Sequence, residues 1–156
     1  MNLAELYDAI VTRAKADTGS GGLFNTTSPL VNAFYVNRTP PETGFPYVIC
    51  NLVGADGRHA FNKSVFEIRV RMAVFMERQS HTVSDPLLRV SNILERLRGN
   101  WSSSSPATAP TYGFDRHPLA LSAPWSGTHM IYETVFDESD DAYWQFVQQY
   151  RLFASA

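Results

Sequence analysis

The residues of this 156-residue chain closest to a metal set are His129 and Glu133, which share one side of an extended stretch, with Asp115 and His117 ahead of them. A strand carries Glu133 about 13 Å from His129, too far for both to reach one ion whose ligand bonds are about 2 Å. Structural or solvated histidine is therefore the expectation, and His59 and His81 lie in turn-like sequence that offers no better set. Nucleophilic catalysis needs a serine or thiol held against a base. Cys50 instead sits inside the β-branched and aromatic run Phe45 to Val53, without a glycine-rich elbow, and reads as a small core residue. Gly19, Gly21 and Gly22 follow a helical pattern instead of joining a strand to a helix, so they lack the geometry of a phosphate cradle. No catalytic residue, cofactor or metal is expected, and the chain does not read as an enzyme.

Two charged groups remain. Glu67, Arg69 and Arg71 alternate along one strand, and Glu133 lies on a later one; they form either a solvated sheet face or a set of charges meeting neighbours across a subunit boundary, and we read them as the second. Asp137, Glu138, Asp140 and Asp141 make an acidic turn. Such a turn solubilises, or, on the inside of a ring that DNA must traverse, keeps the duplex from sticking.

The elements that position these residues follow from periodicity. Leu3, Leu6, Tyr7, Ile10, Val11 and Ala14 recur at three- and four-residue steps, which predicts an amphipathic helix over 3–16, capped by Asn2 and ended by the glycines after Asp17. A flexible loop is expected to run on to about residue 33. Residues 33–36 predict a short strand, Pro40 and Pro41 a surface loop, and 45–53 a buried strand closed by a turn at Asp56-Gly57. From Ser64 to Met76, Phe66, Ile68, Val70, Met72, Val74 and Met76 alternate with Glu67, Arg69 and Arg71, the clearest strand in the chain. Ser84-Asp85-Pro86 starts a second helix, with Leu87, Val90, Ile93, Leu94 and Leu97 as its apolar stripe and Gly99-Asn100 as its stop. Residues 101–127 are rich in Ser and Pro yet contain Tyr112, Phe114, Leu119, Leu121 and Trp125, so they predict a long loop that docks on the domain. Residues 128–137 and 143–153 predict an antiparallel hairpin around the acidic turn. The sum is one α+β domain spanning 1–156: a two-layer sandwich with a mainly antiparallel four- to five-stranded sheet, two helices on one face and an insert at about 101–127.

Composition narrows the function classes. Thirteen Lys plus Arg against fifteen Asp plus Glu leave a formal charge of -2, without the basic field a dedicated nucleic-acid binder needs. Ten Phe, seven Tyr and three Trp exceed what one small core demands and point to contacts with partners. A single cysteine, the start Met1-Asn2-Leu3-Ala4-Glu5 and the lack of a long apolar run predict a protein folded in the cytoplasm that spans no membrane.

Leu6-Tyr7-Asp8-Ala9-Ile10, the stretch from Pro40 through Phe45-Pro46-Tyr47-Val48-Ile49, Phe66 to Phe75, the helix Asp85 to Arg98 and Tyr150-Arg151-Leu152-Phe153 stand in an order that resembles the tail-completion, or tail-terminator, proteins of long-tailed phages. The likeness covers nearly the whole chain, apart from the 101–127 insert. It implies a virion protein of the tail neck: a hexameric ring that caps the tail tube, ends its polymerisation and docks to the connector, with DNA passing through without specific binding. It also implies docking through loops, here 17–33 with Phe24 and 54–63 with Arg58. Competing readings are another neck ring component (a stopper or head-tail adaptor), a small-molecule enzyme using His117, His129 and Glu133, and a monomeric binding module.

Overall fold

Among the described residues seven elements form in the predicted order: α1 (Leu3–Lys15), β1 (Ala33–Val36), β2 (Tyr47–Ala60), β3 (Lys63–Glu77), α2 (Ser84–Arg98), β4 (Ser126–Asp137) and β5 (Tyr143–Ser155). The computed structural model describes residues 3–60, 63–78, 84–99, 112–115, 119–122, 126–137 and 143–155; for 58–60, 63–64, 84–86, 126–129, 134–137 and 155 only the backbone is considered. No helix among the described residues is long and apolar enough to cross a membrane.

The strands make one five-stranded mixed sheet in the order β1-β2-β3-β5-β4. β1 runs parallel to β2, and the other three neighbouring pairs are antiparallel, including the predicted β4-β5 hairpin. The fold is thus α+β. One boundary departs from expectation: the chain does not turn at Asp56-Gly57. The ladder to β3 slips once, at Val53, and then continues from Gly54↔Arg69 to Ala60↔Lys63. A bulge absorbs the extra residue, and β3 supplies hydrogen-bond partners along its whole length, so pairing outweighs the local turn preference of Asp-Gly. Residues 54–60 are therefore strand, not a docking loop.

Each helix turns one stripe to the sheet. Leu6, Ile10 and Ala14 of α1 and Val90, Ile93 and Leu97 of α2 are buried in a single cluster with Val48, Cys50, Ile68, Val70, Met72 and Leu152. Full burial of a side chain of this size contributes about 1.5–3 kcal/mol, so this cluster dominates stability. The stripe of α2 is rotated from the one expected: Leu87 is 39 % exposed and Leu94 only partly buried.

The loop after α1 is organised by one carboxylate. Asp17 is buried; its Oδ2 accepts from the Leu23 N–H (2.9 Å) and from Arg96 Nε (2.8 Å), and its Oδ1 from Arg96 Nη2 (2.6 Å). Asn25 Oδ1 accepts from the backbone of Thr27 and Ser28, while its Nδ2 donates to Gly19 O (2.8 Å). Leu23 and Val31 then fill the core. The expected free loop is instead tied down, because a buried carboxylate holds its place only when its hydrogen-bonding capacity is met.

The insert docks as expected where it is described. Gly99 ends α2 with φ +84, and the N–H groups of Phe114 and Asp115 donate to the last α2 carbonyls, Leu97 O and Arg98 O (both 2.8 Å). Helix carbonyls that lack an intrahelical partner are thereby satisfied. Phe114 is buried between Phe34 and Tyr150, and Tyr112 lies under the Arg96 guanidinium. Gly113 has φ +85 and approaches Gly99 so closely that a Cβ there would stand 2.5 Å from the Gly99 Cα.

Candidate functional site

Side chains alternate across a strand, so the register that sends Ile68, Val70, Met72 and Val74 to the helices sends Glu67, Arg69, Arg71, Ala73 and Phe75 to the other face. That second face divides into two halves.

The half beside β1 is aromatic. Tyr47 and Phe75 stack at 5.1 Å, Phe45 stacks on Tyr47 at 5.1 Å, and Tyr143 tilts against Phe75 at 5.2 Å. Ile49, Ala73 and Val147 complete a small buried cluster. Tyr47 Oη donates to Pro41 O (2.5 Å), which ties the proline loop to this cluster, and burial pushes the Tyr47 phenol up to about 12. The sequence placed no second core here, although Phe75 and Ala73 already break the polar alternation of Glu67, Arg69 and Arg71.

The other half carries charge. Arg151 Nε donates to Glu67 Oε1 (2.9 Å), its Nη2 lies 2.9 Å from the same oxygen, and Nε is 3.3 Å from Glu133 Oε1. The Glu67 hydrogen bond, followed by attraction to both carboxylates, raises the Arg151 guanidinium above its ordinary value. Glu133 can reach because it is the extra residue where the β4 register slips between Tyr132 and Thr134. Arg69 stands 4.0 Å from Asp56, with both side chains more than half exposed. The predicted charges Glu67, Arg69 and Glu133 thus have partners within the same protomer, and Arg71 shares their strand and face. Next to them lie Phe153, whose ring is 5.1 Å from the Arg151 guanidinium, and Ile131, 42 % exposed on the edge strand. Arg151 and Phe153 enter the sequence reading only within the stretch Tyr150 to Phe153, and neither they nor Ile131 are site candidates there; only the cross-strand register brings Ile131 opposite Arg151.

The remaining predicted residues scatter. Phe24 packs half-buried against the helix-side core, and Arg58 lies in β2 opposite Val65. Asp137 ends β4, while Glu138, Asp140 and Asp141 lie outside the described residues. His117 and His81 are also outside them. Asp115 faces Arg98 (3.9 Å), and among the described residues no three His, Cys, Asp or Glu side chains gather as a metal set. Cys50 is fully buried, and burial pushes its thiol up, away from the reactive thiolate.

A groove of about 420 Å³ runs between the outer side of α1 and residues 119–120, lined by Glu5, Asp8, Ala9, Arg13, Leu119 and Ala120. Two of its charged groups are tied to the fold: Glu5 accepts from the Ser122 N–H, and Arg13 Nε donates to Gly113 O (3.2 Å). Burial lowers the Arg13 pKa, opposed by the nearby Asp17 charge. No protein-family model matches this chain, and no curated protein is significantly similar to it.

Proposed function

We propose that this chain is a structural subunit of a phage tail neck, a tail terminator that assembles as a ring, of the hexameric kind its resemblance implies, on the end of the tail tube and joins it to the connector. The observation that carries the reading is the sheet face turned away from the helices. It combines an exposed Ile131 and a half-buried Phe153 with charges already neutralised inside the protomer. Apolar side chains among compensated charges suit a contact surface, because covering them leaves no unpaired ion behind. The order of elements fits the same family. The ring would stop tube polymerisation by occupying its end, and DNA would pass through its centre during ejection.

Deletion of the gene tests the reading: tails of uncontrolled length, or heads without joined tails, are expected. Normal-length, joined tails would end it, and a ring imaged at another level of the neck would reassign it as a stopper or adaptor. Ile131→Glu sharpens the test. At an exposed site it should change stability by no more than about 0.5 kcal/mol, yet it should impair head-tail joining.

A further inference from the structure

We infer that the outer side of α2 on one copy of this chain covers the charged half of the open sheet face on the next, with Leu88 meeting Ile131 and Glu95 meeting Arg69. The choice of a second copy rests on the ring reading above. Val90, Ile93 and Leu97 turn α2 to the helix-side core, so Leu88, Asn92 and Glu95, all exposed, share the side that looks away from the sheet. Leu88 is 62 % exposed, the most of any large apolar side chain among the described residues. With Pro29, Leu30 and Asn92 it lines a groove of about 370 Å³ that can receive an apolar side chain. Ile131 stands on the sheet face turned the other way. Surfaces that point in opposite directions cannot meet within one copy, whereas a head-to-tail contact between copies covers both and, repeated with a constant turn, closes a ring.

The two surfaces match in spacing. Ile131 lies opposite Arg151, and Arg151 opposite Arg69, so the three form one row across β4, β5 and β3. Two strand spacings put Ile131 and Arg69 about 10 Å apart. Leu88 and Glu95 are seven residues apart on one side of α2, which is also about 10 Å. An α2 laid across the strands therefore seats Leu88 on Ile131 and brings Glu95 to Arg69, with Asn92 above Arg151, whose charge Glu67 and Glu133 already meet. The charges at the far end are opposite in sign and available. Glu95 is exposed and enters no ion pair among the described residues, and Arg69 is more than half exposed, its contact with Asp56 long at 4.0 Å. Laid in the reverse direction, α2 would press the Glu95 carboxylate onto Ile131, so charge also fixes the polarity of the contact.

Oxidative cross-linking of the full chain at about 1 mM tests the contact, with Cys50 buried and out of reach. Leu88→Cys mixed with Ile131→Cys should give a covalent dimer of the two variants, while neither alone should cross-link. The double variant Leu88→Cys/Ile131→Cys should give a ladder of oligomers, as a head-to-tail contact requires. Sedimentation equilibrium reads the charges: Glu95→Arg and Arg69→Glu should each weaken association about tenfold, and Glu95→Arg/Arg69→Glu should restore it. A single cysteine variant that cross-links to itself, a mixture that gives no dimer, or a double charge variant no stronger than the singles overturns the proposal. Tails of uncontrolled length on gene deletion, together with no mixed dimer, would remove this contact and leave the neck reading standing; normal tails with a mixed dimer would do the reverse.

Discussion

Two arginine–carboxylate clusters use the same chemistry to different ends. Arg96 is bidentate on Asp17, with side chains 16 % and 3 % exposed, and it joins the loop after α1 to the second helix and to Tyr112 of the insert. Arg151 meets Glu67 and Glu133 on an open sheet face, 41 % exposed, and links strands that backbone hydrogen bonds already hold. Position decides their weight. An ion pair that organises otherwise irregular backbone, and that loses water on closing, leaves a costly charge behind if one partner is removed. A pair laid over a finished ladder adds little to stability, and in the proposed assembly it leaves the face neutral.

Asp17→Ala should show the largest effect. It strands the Arg96 guanidinium and the Leu23 N–H, and chemical denaturation should register a loss of about 3 kcal/mol; a loss near that of a surface pair would abolish the distinction. Gly113→Ala comes next. The φ of +85 and the 2.5 Å approach to Gly99 forbid a side chain, so about 2 kcal/mol should be lost, with amide exchange rising first at Phe114 and Asp115, which lie on the Arg96 side of the comparison.

The aromatic half of the second face supplies a pH test. Tyr47 is raised from 10.0 to about 12, so the folded protein holds a proton that the unfolded chain releases. Its contribution is complete below pH 10 and declines as pH rises through 12. Stability followed by denaturant titration should fall across that window, and Tyr47→Phe should make the fall shallower; an unchanged slope would remove Tyr47 from the account. Glu67→Gln is expected to be the mildest, costing at most about 1 kcal/mol and less in high salt. A cost like that of Asp17→Ala would make the two clusters equivalent.

Much of this architecture was legible in the amino-acid order. Leu6, Ile10 and Ala14 on α1, and the alternation of β3, follow from which positions must share a face, and that depends only on residues a few places apart. Gly99 stops α2 for the same local reason. Other features were hidden because they depend on distant partners. Asp17 reads as a loop residue until Arg96, 79 positions on, closes on it. Asp56-Gly57 reads as a turn until β3 lies alongside to continue the ladder. Glu67 reads as a charge that meets a neighbouring subunit until Arg151, 84 positions later, pairs with it inside the protomer. Periodicity settled the elements and their buried sides, since these express local geometry. Register, the parallel entry of β1, the aromatic cluster on the second face and the pairing of charges were decided by the tertiary structure, because a strand's neighbours depend on the energy of the assembled sheet and not on any one segment's pattern.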